Sequence, residues 1–128
     1  MENLLSGFYK PHIEGTQLNC FYTIYGNIPN DVVLEEKNIL RLKQEHSILL
    51  NMVKQMPSPV LLGDGVFTRK KNLKLLIEVR DCMGIMVMGK NFCGVVHMSW
   101  KNLYLGILDK MFQLFHRENI NLQNLSFI

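Results

Sequence analysis

Apolar residues recur through positions 100–117 at helical spacing, but over too wide an arc. At about 100° per residue, Leu103, Tyr104, Leu105, Ile107, Leu108, Met111, Phe112, Leu114 and Phe115 spread over roughly 200°, where a helix lying on one sheet needs little more than ~100°. Ser99 stands where such a helix would be capped. Leaving Leu105 and Phe112 in water would forgo about 1.5–3 kcal/mol each, so the pattern predicts a cover over that face: a second helix, a second subunit or a neighbouring loop of the same chain.

Residues 17–25 alternate Leu18, Cys20, Tyr22 and Ile24 with Asn19, Phe21, Thr23 and Tyr25, the period of a strand. After a turn at 26–31, Asp31 as N-cap and Glu35 and Glu36 in the first turns predict a helix over 32–55. Its stripe is Ile39, Leu42, His46, Leu49, Leu50, Val53 and Met56, ended by Pro57-Ser58-Pro59. Gly63-Asp64-Gly65 reads as a turn, Val66 and Phe67 as a short strand, and 73–80 as a strand with one buried face. Residues 85–88 and 92–98 form strands about the reversal Gly89-Lys90-Asn91. In the closing strand the inward set Ile120 and Leu122 changes parity to Leu125 and Phe127, which implies a bulge near Asn124 or burial on both faces.

The order β-α-β-β-β-β-α-β predicts the α+β class: one domain over 17–128, a mostly antiparallel sheet with two helices on one face. Residues 1–16 follow neither period and read as an extended arm whose apolar anchors are Leu4, Leu5, Phe8 and Tyr9. Together with Leu105, Phe112 and the terminal-strand residue Phe127, these are the candidate partner-binding residues, and the expected assembly is a homo-oligomer.

Composition narrows the picture. A chain of 128 residues with 48% hydrophobic and 20% charged residues has one foldable core and is not disordered overall. A net charge of +3 does not indicate nucleic acid. Cys20, Cys82 and Cys93 cannot all pair, so the reading is free thiols in a reducing, intracellular compartment, cytosolic or nuclear. No apolar run approaches ~18 residues, so no membrane partner is expected, and the amino terminus lacks the basic start of a secretory signal.

Candidate chemistry is sparse. Gly84 to Lys90 has phosphate-loop spacing, but Asn91 stands where Ser or Thr would hold magnesium and the interior is strand-like. Cys93 and His97 share a strand face, with Cys20 and His46 as further donors, yet no pair of ligands two to four residues apart on a turn is present, so no metal and no cofactor are expected. No nucleophile elbow or carboxylate pair supports catalysis, and the chain reads as a non-enzyme. Arg69, Lys70 and Lys71, with Lys74 beyond, form a basic patch that reads first as a solvated turn, with nucleic-acid phosphates, nuclear import or an acidic protein surface as the alternatives.

Phe21-Tyr22-Thr23-Ile24-Tyr25, then Pro29, Asp31 and Val32-Val33-Leu34 ahead of Ile39-Leu40-Arg41, and later Val95-Val96-His97-Met98 running into 103–115 and 122–127, resemble the small early-region-four proteins of adenoviruses. In size and layout the chain is also similar to the left-hand-end virion proteins of atadenoviruses. The resemblance implies a non-enzymatic minor capsid or cement protein of the virion that contacts other capsid proteins, or alternatively an early regulatory protein of the host nucleus that multimerises and binds host nuclear proteins. It transfers no site residue.

Overall fold

The computed structural model describes residues 39–57, 60–79 and 81–127, together with the backbone of 8–9 and 22–23. Its strands are β1 (Phe8–Tyr9), β2 (Tyr22–Thr23), β3 (Ile39–Lys43), β4 (Leu50–Val53), β5 (Val60–Leu62), β6 (Gly65–Thr68), β7 (Lys74–Leu76), β8 (Met83–Gly89), β9 (Phe92–Met98) and β10 (Ser126–Phe127). The helices are α1 (Trp100–Leu105) and α2 (Ile107–Arg117). The fold is α+β and dominated by sheet, as the sequence predicts.

Five strands form one sheet in the order β10-β8-β9-β6-β4, antiparallel except between β4 and β6. A second sheet, β5-β3-β7, is parallel throughout. Alternation along β6 sends Phe67 to one face and Val66 to the other, so the larger sheet has a core on each side. On one side Phe67, Val87, Phe92 and Val96 meet Ile107, Met111, Leu114 and Phe115 of α2. On the other, Val53 and Val66 meet Leu40 and Leu42 of β3. Rings of Phe67, Phe92 and Phe115 pack with centroids 5.3–5.8 Å apart, each pair contributing about 0.5–1.5 kcal/mol beyond its buried area.

The predicted helix over 32–55 is corrected: within it, residues 39–43 and 50–53 are strands. In β3, Leu40 and Leu42 are buried while Arg41 and Lys43 are exposed, a period of two that the longer apolar stripe concealed. Between the strands, the N–H groups of Glu45, His46 and Ser47 are taken by the Asp64 carboxylate, and His46 adopts φ +56°, so no helical turn can pass through.

At the carboxyl end the expected helix is divided at Gly106, whose φ of +98° only glycine takes without strain. Ser99 caps α1 through a reciprocal pair of bonds with Asn102. The parity change near Asn124 comes from a 3-10 turn, Leu122–Asn124, rather than a bulge. Of the arm 1–16, the described part is β1, paired with β2; Leu4 and Leu5 lie outside the described residues.

Candidate metal centre

One end of the five-stranded sheet gathers four chemically active residues from four separate segments. His46 precedes β4, Asp64 precedes β6, Cys82 precedes β8, and His97 lies near the close of β9. One donor atom each from His46, Cys82 and His97 falls within 4.8 Å of the others. Two imidazoles and a thiol at that separation can enclose one ion about 2.0–2.3 Å from each donor after small side-chain rotations. His97 is buried, Cys82 half-buried and His46 exposed, so the set opens toward solvent on its His46 side.

Asp64 stands behind this trio, fully enclosed, with five donors on its two oxygens. Oδ1 accepts from the N–H groups of Glu45 and Ser47 and from Ser47 Oγ, at 2.8–3.1 Å. Oδ2 accepts from the N–H of His46 at 3.1 Å and lies 2.7 Å from Nδ1 of His97. Burial by itself pushes the carboxyl up, but the bonds from His97, Ser47 and Glu45 outweigh it and hold it below the ordinary aspartate value. An ionised carboxylate only accepts, so Nδ1 of His97 donates to it and Nε2 is the ring nitrogen through which His97 would hold a metal. This is the arrangement by which a carboxylate orients a ligating histidine.

The remaining ligand segments are also tied down. Gln44 Nε2 donates to the Glu78 carbonyl at 2.6 Å and Gln44 Oε1 accepts from the Glu78 N–H at 3.1 Å, joining the strand ends that lead to His46 and Cys82. Asn102 Nδ2 donates to the His97 carbonyl at 2.8 Å, anchoring the close of β9 to α1. His46 and His97 meet edge to face with centroids 5.0 Å apart.

Of the donors considered from sequence, His46 and His97 do come together, and the third is Cys82 rather than Cys93; Cys20 lies outside the described residues. Donors two to four residues apart are the wrong signal for a centre assembled at strand ends. Asp64, read only as a turn residue, was detectable as an acid flanked by two glycines between apolar runs. The candidate partner residues stay apart from this centre: Leu105, Phe112 and Phe127 are 49%, 42% and 45% exposed, and Phe8 and Tyr9 belong to β1. In the basic patch, Arg69 is bonded to the Glu118 carboxylate and carbonyl at 3.4 and 2.6 Å, while Lys70, Lys71 and Lys74 are exposed.

A family model described as multi-copper polyphenol oxidoreductase laccase matches residues 26–127. Over 84 residues, 66% of this chain, the sequence is 31% identical to a purine nucleoside phosphorylase of Aquifex aeolicus (strain VF5), and it covers 40% of that protein. In structure it is similar to the hypothetical protein YfiH of Bacillus licheniformis, with a TM-score of 0.68 and 21% identity over 76% of this chain and 41% of that one. YlmD from Geobacillus stearothermophilus gives a TM-score of 0.64 and 21% identity over 72% and 38% of the two chains. The chain therefore spans about two fifths of the length of these relatives.

These matches overturn the adenoviral resemblance, which rested on apolar patterning that unrelated sheet proteins share. With it fall the capsid or cement protein, the alternative nuclear early regulator, and the placements in virion and host nucleus. The expectation of a non-enzyme falls too, because the family and the relative are both named for enzymes.

Proposed function

The chain belongs to the multi-copper polyphenol oxidoreductase laccase family, and from that premise we propose that it is a metal-dependent enzyme that cleaves purine nucleosides with phosphate. The observation that carries this reading is the His46, Cys82 and His97 trio with Asp64 seated behind His97. The substrate class comes from the name of the Aquifex relative, of which the chain covers 40%.

The donor set fits a borderline-soft transition metal: neutral imidazoles and a thiolate suit zinc or copper, and three protein ligands leave a position for substrate. Bound there, zinc would supply Lewis acidity to an oxygen of the reactants. His97 contributes Nε2, with its ring orientation and tautomer imposed by Asp64. His46 adopts a left-handed backbone conformation with its N–H bonded to the same carboxylate, and its exposed ring meets that of His97 edge to face. In phosphorolysis a phosphate oxygen bonds to C1′ of the ribose, the C1′–N bond breaks, and the electron pair leaves with the purine, which takes up a proton.

The test is to load the protein with zinc, supply inosine and inorganic phosphate, and measure ribose 1-phosphate and free base. Turnover that disappears in Cys82→Ala supports the reading; no product with either zinc or copper bound refutes it. A second reading, oxidation of polyphenols, is favoured by the two-histidine, one-cysteine donor set, which copper also accepts. Oxygen uptake with catechol by the copper-loaded protein, without phosphorolysis, would select that reading instead.

A further inference from the structure

We propose that Gln44 is a positioning residue of the metal centre, whose side-chain amide sets the spacing between the arm that carries His46 and the segment that carries Cys82; this rests on the metal-centre reading above. The other residues at this sheet end are fastened to one another without it. The Asp64 carboxylate takes the N–H of His46 and faces Nδ1 of His97, and the Asp64 carbonyl accepts the His97 N–H at 2.7 Å. The five donors on the Asp64 carboxylate do not include Cys82, so the thiol must be placed by other means.

What locates Cys82 lies on either side of it in the chain. After it, β8 pairs with β9 from Met83 onward, with Gly84 opposite His97. Before it, Glu78 is gripped by Gln44, whose Nε2 donates to the Glu78 carbonyl at 2.6 Å and whose Oε1 accepts the Glu78 N–H at 3.1 Å. A primary amide offers a donor and an acceptor side by side, so it satisfies both peptide groups of one residue as a neighbouring strand would. Gln44 is two residues before His46 and Glu78 four before Cys82, so the bridge joins the two segments close to their donors. The same stretch is pressed onto β8: a Cβ added at Gly84 would lie 3.2 Å from Ile77 Cδ1 and 3.3 Å from Val79 Cγ1. Ile77 and Val79 thus seat the stretch on β8, while Gln44 sets its distance from the His46 arm. The Arg41–Glu78 ion pair, 3.6 Å long and exposed on both sides, adds little.

The test measures zinc affinity by chelator competition in the natural chain, in Gln44→Ala and in Gln44→Glu, and again with each combined with Cys82→Ala. Glutamate keeps the length and the acceptor but loses the donor, and sets a carboxylate oxygen against the Glu78 carbonyl. The expected result is a loss of roughly tenfold or more in both single variants, the size usual for residues that support a ligand, and none beyond about twofold once Cys82 is already alanine. Cobalt(II) in place of zinc gives a second readout. Its thiolate charge-transfer absorption, absent in Cys82→Ala, should be weaker in Gln44→Ala at the same sub-saturating cobalt. Arg41→Ala, which leaves the amide bridge intact, should bind zinc as the natural chain does. An undiminished thiolate band, an unchanged zinc affinity in the single variants, or an equal loss with and without Cys82 overturns the positioning role and leaves the metal centre standing. No zinc bound by the natural chain, and no thiolate band with cobalt, refutes the metal centre itself and the role of Gln44 with it.

Discussion

Asp64 and His97 face each other across 2.7 Å in the interior, 33 residues apart in sequence, and the same carboxylate oxygen also receives the N–H of His46. One acid therefore sets the ring of one candidate ligand and the backbone of another. Replacing it by Asn puts an N–H₂ group against donors on one oxygen or the other. Zinc affinity of Asp64→Asn, measured by competition with a chromophoric chelator, should fall 10- to 100-fold. An unchanged affinity would show that His97 needs no orienting partner.

The same carboxylate dictates an acid response. Its value in the folded protein is depressed, by bonds that outweigh the opposing effect of burial. A depressed carboxylate stabilises the fold fully above its unfolded value, about 3.9, and that contribution is lost as pH falls through the lower folded value. Metal-free protein should thus lose stability steeply below pH ~4 in urea titrations, and Asp64→Asn, less stable at neutral pH, should show a shallower acid limb. Parallel limbs would contradict the bond network around Asp64.

Metal should stabilise the fold. An ion that binds only the native state at 100 times its Kd adds about 2.7 kcal/mol, a Tm increase of several degrees for a domain of this size. Calorimetry with and without zinc should show this in the natural sequence and not in Cys82→Ala. A Tm insensitive to zinc and copper would remove the basis for a metal centre.

Gly94 lies directly opposite Phe67 across β9 and β6, and a Cβ there would clash with the Cδ1 edge of the Phe67 ring. That ring is hemmed in by Phe92 and Phe115 and cannot turn away. Gly94→Ala should cost about 1–3 kcal/mol by chemical denaturation, and Phe67→Leu in the same chain should recover part of the loss. Full stability of the single variant would show the core to be looser than its packing indicates.

The parts of the fold specified by short-range pattern were legible. The hairpin of β8 and β9, the span of β9 and the Ser99 cap follow from alternation, the reversal about Gly89-Lys90-Asn91 and helix-start chemistry. Residues 39–53 were not, because Leu42, Leu49, Leu50 and Val53 satisfy a helical stripe, and what denies them a helix is Asp64, a residue from the bend between β5 and β6. For the site the difficulty was similar. His46 and His97 are visible as isolated histidines, but Cys82 has no local signature, since the strand ends that bring the three together are joined through long-range pairing.

The burial of Asp64 also constrains the order in which the chain can be completed as it leaves the ribosome. Glu45, His46 and Ser47, which supply four of its five donors, precede Asp64 in the chain, whereas the fifth donor, His97, is made 33 residues later. The enclosure of Asp64 is therefore complete only once β9 is in place beside β6, and the same pairing brings His97 to the candidate metal centre.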